Sequence, residues 1–198
     1  QRSLVTEFLA WQASIVREYK RPEQFVTHNL DYDFSMGYSS GVPPDLDHAE
    51  VAKCLDVAGC DIYHPTQDHL TGREIAMCGD LARSTKHAPY LVLETEAQGF
   101  AHWTPYPGQL SLQAVSHLSS GAETVEYWHW HSIHNSMETY WKGLLSHDFK
   151  PSAMYQEAKT IGAAFKALAP NLLGLRKENK AAVLISSTAL TAMEYFPM

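Results

Sequence analysis

Glu94 is the residue of this 198-residue chain best placed to do chemistry. It follows Tyr90-Leu-Val-Leu with no polar buffer, so an apolar strand delivers a carboxylate directly to its end. A carboxylate held there can serve as a nucleophile, or as an acid or base with a tuned pKa. Position alone equally allows a Glu that caps a helix or pairs with an Arg. Glu96, two residues on, is the competing carboxylate, although the strand is expected to have ended before it. Trp103, Trp128, Trp130 and Trp141 could offer faces to a sugar ring, whose C–H bonds meet the π cloud, or could fill a core. His129, His131 and His134 suggest metal ligands, because neighbours at i and i+2 on a strand share a face. No Cys ligand or carboxylate–His helix pair joins them, and no metal is expected. There is no Gly-x-Gly-x-x-Gly, phosphate loop or nucleophile elbow, so no nucleotide cofactor and no serine hydrolase is expected.

Elements of alternating type must position these groups. Leu4, Phe8, Trp11, Ile15 and Tyr19 form a helical stripe that Pro22 stops. The pattern then predicts a strand at 25–27 reaching His28 and Asn29, and a helix over 46–57 capped by Asp45. Further on it predicts a strand at 60–65, a helix over 71–86 and a strand at 90–94. A helix at 109–118, a strand at 124–130 and a helix over 152–168, ending before Pro170, complete the series. Such alternation implies parallel strands with right-handed crossovers. Polar residues gather at the expected strand ends: His28-Asn29, His64 to Gln67, Glu94 and His129 to His131. That is where parallel α/β sheets and barrels bind ligands. Tyr127 and Trp128 are expected on opposite faces of their strand. Residues 171–180 read as a linker, and 181–186 as a further strand followed by 189–196, the first unit of a second domain.

Composition narrows the function. With 45% hydrophobic and 19% charged residues, the chain suits one ordinary core and is neither a disordered polymer nor a disulfide miniprotein. Its 15 Lys+Arg against 22 Asp+Glu, a net charge of −7, give no electrostatic grip on nucleic acid or anionic membrane. Three cysteines at 54, 60 and 78 read as thiols in a reducing compartment. No apolar stretch approaches the roughly 20 residues of a membrane span. The N-terminus lacks a signal peptide's plan, and a cytoplasmic protein is expected.

From Pro89-Tyr-Leu-Val-Leu-Glu-Thr onward the chain resembles glycoside hydrolase family 42, the retaining β-galactosidases. Phe25-Val-Thr-His-Asn-Leu, Tyr63-His-Pro, Thr71-Gly, Pro107-Gly-Gln-Leu, Trp128-His-Trp and Glu138 to His147 match the family's motifs in order, and Ala181 to Ser186 resembles the opening strand of its trimerisation domain. The resemblance implies a partial (β/α)8 TIM barrel, strands five to eight, over residues 1–170. The 171–180 linker would then lead into the first β/α unit of a Rossmann/flavodoxin-like domain at 181–198. It implies Glu94 as nucleophile in a double displacement on a terminal β-D-galactoside, with Trp103, Glu138, Trp130 and Trp141 binding substrate. It also implies a homotrimer and no cofactor. Two departures stand out: Trp141 where many relatives have His, and His131 where Arg often follows the last-strand Trp. The family's acid/base Glu belongs to an Asn-Glu pair, and this sequence contains none. A closed barrel takes about 250 residues. The chain is therefore expected to be the C-terminal half, inactive alone and prone to self-pairing through its open edges. The rival readings are a complete doubly wound α/β binding module, whose strand order would reverse, and another retaining glycosidase, such as a β-mannanase or a cellulase-like enzyme.

Overall fold

The computed structural model describes residues 2–33, 46–99 and 104–196. Four strands, β1 (Asn29–Asp33), β2 (Gly59–Tyr63), β3 (Tyr90–Glu96) and β4 (Ala122–Trp128), form one parallel sheet in the order β1-β2-β3-β4. Spatial order equals chain order, with no reversal among the described residues, as a one-directional βα repeat produces and a doubly wound sheet does not. Helices α1 (Arg2–Tyr19), α2 (His48–Val51), α3 (Arg73–Lys86), α4 (Gln109–Ser119), α5 (Ala153–Leu172) and α6 (Ser187–Tyr195) complete the chain.

Two apolar clusters hold the sheet to its helices. Leu30, Tyr32, Cys60, Ile62, Tyr90 and Val92 of the first three strands pack on Val51, Ala52, Cys78 and Ala82. Across the sheet, Leu110 and Ala114 of α4 meet Met154 and Ile161 of α5, with Tyr127 of β4 packed between them. The polar ends of α4 and α5 are matched as well. Gly108, at the start of α4, has no side chain to cap the helix. The Glu157 carboxylate of α5 instead accepts the N–H groups of Gly108 (3.1 Å) and Ser111 (2.7 Å), bringing negative charge to the positive end of the dipole.

Several boundaries differ from the sequence expectation, each for a local reason. The first strand begins at Asn29, where it was expected to end. The preceding Val26 is bonded through its N–H to Asp56 Oδ2 and through its carbonyl to the Asp56 N–H, both at 2.8 Å, and the ladder opens only at Asn29 opposite Gly59. The same use of Asp56, which also receives Arg17, ends the second helical segment early at a 3-10 turn over Ala52–Cys54. Its cap is Asp47, which accepts the Glu50 N–H; Asp45 lies outside the described residues. Strand β3 runs two residues past Glu94 to Glu96. Helix α5 passes through Pro170 and ends at Leu172, since a proline in the last turn costs little more than one bond to a terminal carbonyl. Residues 181–186 join no strand, and Leu184 is 96% exposed. The apolar stripe of α1 also faces outward: Trp11 is 57% exposed and Tyr19 82%, and Ala13 is the buried residue of that helix.

Gly59 sits where β2 passes closest to the chain before β1. A Cβ there would lie 2.9 Å from the His28 carbonyl oxygen and 2.5 Å from Thr27 Oγ1. Gly59→Ala is expected to cost about 1–3 kcal/mol by overpacking. The check is a lower urea midpoint at unchanged m-value.

Candidate active site

The C-terminal ends of β2, β3 and β4 converge on Glu94. Tyr63, the last residue of β2, donates its hydroxyl proton to Glu94 Oε1 at 2.5 Å. The register brings Asp61 of β2 opposite Glu94, because the pairing of β2 with β3 shifts by one residue between Cys60 and Asp61. Asn29 of β1 reaches forward to give its amide proton to Asp61 Oδ1 at 2.7 Å. Three strands thus contribute, in order, an amide, an acid with a phenol, and the carboxylate that the apolar run of β3 carries to its end.

The loop after β4 supplies the opposite wall. Trp128 ends β4 and donates its indole N–H to Glu138 Oε2 at 3.2 Å. The Trp141 indole donates to the Trp128 carbonyl at 3.3 Å, and its ring meets Tyr63 edge-on with centroids 5.4 Å apart. Backbone bonds pin this loop: Leu144 N–H to His129 O at 2.8 Å, Leu145 N–H to Trp130 O at 2.9 Å, and Gly143 N–H to Ser132 Oγ at 3.1 Å. Gly143 passes so close that a Cβ would lie 2.7 Å from the His131 carbonyl oxygen. On the other side of the site, Gln109 Oε1 accepts the N–H groups of Gln67 (2.9 Å) and Tyr106 (2.8 Å), and its amide donates to Gln67 O at 2.8 Å. The Gln of Pro107-Gly-Gln therefore ties the loop after β2 to the start of α4.

Electrostatics sets this pocket apart from the surface. Burial raises the Glu94 pKa and the charge of Glu138 adds to it, while the Tyr63 hydrogen bond and His129 pull it back. Asp61 is pushed up to about 7, first by burial and then by the charge of Glu94, with the Asn29 amide opposing and Asp31 adding. Burial and the adjacent Glu94 hold the Tyr63 phenol well above its ordinary value, so it remains a donor at any physiological pH. A carboxylate fixed by one short donor, next to a wall of indoles and a second carboxylate, is equipped to attack an electrophilic carbon bearing hydroxyl neighbours.

Of the residues singled out from sequence, the structure brings Glu94, Glu138 and Trp141 together. Trp103 lies outside the described residues. Trp130 is turned elsewhere: its ring stands 6.0 Å from Tyr155 of α5 and lines an apolar groove with Tyr127, Leu144 and Ile161. Trp128 and Tyr127 do diverge, one to Glu138 and the other into the packing with α5. The histidines bond backbone carbonyls, His129 Nδ1 to His131 O and His131 Nδ1 to Ser132 O, both at 2.8 Å. Among the described residues no group of three or more His, Cys, Asp or Glu could hold a metal ion. Sequence reasoning passed over Asp61, and placed Asn29 at a strand end without giving it a partner. The available signal was polar Asp61 and Tyr63 alternating with Cys60 and Ile62, which are both fully buried.

Comparison with known proteins converges on one family. Residues 1–168 match the family model for the β-galactosidases of glycoside hydrolase family 42. The β-galactosidase LacZ of Lactobacillus acidophilus is 26% identical over 191 residues, 93% of this chain and 27% of that protein. The β-galactosidase BgaH of Haloferax lucentense is 31% identical over 175 residues, 79% of this chain and 25% of that protein. Among solved structures, the β-galactosidase of the Antarctic haloarchaeon Halorubrum lacusprofundi superimposes with a TM-score of 0.80 at 25% identity, over 99% of this chain and 30% of that one. A family 42 β-galactosidase from G. stearothermophilus shares the fold with a TM-score of 0.84 at 21% identity, over 98% of this chain and 29% of that one. The chain spans about a quarter of the length of these curated relatives.

Two substitutions test the geometry. Tyr63→Phe is expected to raise the Glu94 pKa further by removing the donor that stabilises its ionised form, read from a ¹³C NMR titration of the Glu94 carboxyl. An unmoved titration would show that the bond does not form in solution. Asp61 carries a raised folded-state pKa of about 7, so its contribution to stability is complete below the unfolded value, about 3.9. That contribution falls as pH rises towards 7. Asp61→Asn is therefore expected to flatten this part of the stability–pH curve, measured by urea unfolding at each pH.

Proposed function

The chain belongs to the β-galactosidases of glycoside hydrolase family 42, and from that premise we propose that it supplies the nucleophile side of a retaining enzyme for terminal β-D-galactosides. The observation that carries this reading is the Tyr63–Glu94 hydrogen bond at the C-terminal ends of adjacent parallel strands. One oxygen of Glu94 is held and oriented; the other forms a bond to the anomeric carbon as the glycosidic C–O bond breaks. The departing oxygen takes a proton from a second carboxyl, roughly 5–5.5 Å from the first, which later removes a proton from the water that releases the sugar. Glu138, Trp141 and Trp103 bind the galactose hydroxyls and ring, while the Trp130 ring packs beside Tyr155.

The second carboxyl lies outside these 198 residues in this reading. The sequence holds no Asn-Glu pair, and the relatives are about four times as long over the same alignment. The four sequential strands then serve as strands five to eight of an eight-stranded barrel. Two further observations support this. The apolar stripe of α1 lacks cover among the described residues, and β4 exposes Glu123, Thr124 and Glu126 along its length. Residues 181–198, with 171–180 as a linker, begin a Rossmann-like trimerisation domain in this reading, although they are unpaired as a strand here. Thiols at Cys54, Cys60 and Cys78 support a reducing, cytoplasmic setting.

Purified 1–198 is expected to release no measurable aglycone from a chromogenic β-galactoside; robust turnover would overturn the placement of the acid/base outside the chain. In a polypeptide of the relatives' length carrying these residues, an activated 2-deoxy-2-fluoro-β-galactoside should label Glu94. There Glu94→Ala should lower kcat by about 10⁴-fold or more. Label found on another carboxyl would remove Glu94 from the role.

A further inference from the structure

Two residues beyond Glu94, Glu96 sits fully enclosed beneath the site, with a carboxyl that the chemistry above does not use. Its surroundings fix its protonation by donor counting. Gln113 of α4 points Nε2 at the Glu96 backbone carbonyl (3.1 Å), Thr95 Oγ1 (3.0 Å) and His64 Nε2 (3.0 Å). A carbonyl oxygen can only accept, so the amide nitrogen must face it and the orientation of Gln113 is settled. An amide nitrogen only donates, hence His64 Nε2 carries no proton and the imidazole is the neutral Nδ1–H form. That proton faces Pro65 O at 2.9 Å and Glu96 Oε1 at 3.3 Å. Oε1 also receives the His64 backbone N–H at 3.4 Å. On the other oxygen, Oε2 lies 3.2 Å from Thr95 Oγ1, while the single Thr95 hydroxyl proton goes to Ile62 O at 2.8 Å. The Oε2–Oγ1 contact is therefore supplied with a proton by Glu96.

We propose that Glu96 is a positioning residue that works as a neutral carboxylic acid, tying β2 to β3 under Glu94 without placing a second negative charge there. The inference rests on the reading of Glu94 as nucleophile only for its purpose; the protonation rests on giving the single Thr95 hydroxyl proton to Ile62 O, the shorter of its two contacts. The titratable groups packed against Glu96 are His64, His117 and Tyr63. His64, one residue past β2, pulls the Glu96 carboxyl down against the larger effect of burial. His117 of α4, its ring 6.3 Å from that of His64, has both nitrogens buried without a partner and is pushed down to about 3 by burial. Tyr63 from β2 stays a phenol, held there by burial and by its bond to Glu94. Burial raises the Glu96 pKa, the direction the contacts require. An ionised Glu96 would disfavour ionisation of Glu94, since like charges oppose one another.

An amide can replace a neutral acid here, donating to Thr95 and accepting from His64, so Glu96→Gln in the full 198-residue chain is the test. Infrared spectra at pH 7 should show protonated-carboxyl C=O intensity in the parent, part of it from Asp61, that drops by one carboxyl's share in Glu96→Gln; intensity unchanged by the substitution would overturn the proposal. The folding constant of the parent relative to Glu96→Gln should fall by up to about tenfold per pH unit above the unfolded pKa, about 4.3. The fall follows because only the parent must hold a proton that its unfolded state has lost. A Glu96→Gln chain that fails to fold, no acid band in the parent, or a relative stability that rises with pH as a His⁺–carboxylate pair requires would each overturn the proposal. Covalent labelling of Glu94 is a separate measurement, so failure of the nucleophile reading stays distinguishable from failure of this one.

Discussion

The seam between β2 and β3 at their C-terminal ends is the constraint on which the site depends. Three side-chain links cross it within a few residues: Tyr63 to Glu94, Thr95 Oγ1 to Ile62 O, and the His64 backbone N–H to Glu96. Parallel strands offer only slanted backbone bonds, and this pair shifts register between Cys60 and Asp61. The side chains therefore take over where the ladder becomes irregular. Their geometry decides which atom of β3 faces the cleft: Glu94 is turned to Tyr63, and Glu96 is turned to His64 and α4. Loss of the shift would move Glu94 out of line with Tyr63, because a one-residue slip exchanges the faces of a strand.

Crowding of acids is the electrostatic cost of this arrangement, and it is met by neutral donors. Asp31 and Glu94 act on Asp61, and Glu138 acts on Glu94, in a chain whose net charge is already −7. Asn29 serves Asp61, Tyr63 serves Glu94, and Trp128 serves Glu138. None of the three donors carries a charge, so each carboxylate is oriented without being locked into an ion pair that would have to break for substrate. Several cations of the fold are used elsewhere: Arg17 on Asp56, Arg2 on Asp47, and Arg83 with Lys177 on Asp80.

Much of this was legible in the sequence because the signals were local. Tyr90-Leu-Val-Leu-Glu is a buried strand bearing a charge, though it runs on to Glu96, and Pro107-Gly-Gln-Leu is a helix start. The register of β1 was not legible, since it depends on Asp56, 30 residues away, capturing Val26. The 181–186 segment is as apolar as a strand needs to be, yet periodicity cannot say whether a neighbour exists to pair with it. Trp130 illustrates the same limit at a single residue. Its type suited a sugar platform, but the direction of its ring is set by Tyr155, contributed by a helix that begins more than 20 residues later.

Trp141 shows how a change of one residue redirects recognition in such a site. An indole has a single N–H, and that of Trp141 is committed to the Trp128 carbonyl, which leaves its ring as the part that meets Tyr63. The residue thus buttresses the phenol that holds Glu94 and brings apolar surface, with no further donor, to the wall of the site. Trp128 is committed in the same way, to Glu138. Hydrogen bonding along this wall consequently falls to the Glu138 carboxylate, which can only accept while ionised. A ligand seated here is met by acceptors and aromatic faces, and must itself supply donors: a polyhydroxylated ring does so at every hydroxyl, whereas a planar anion would face four acids.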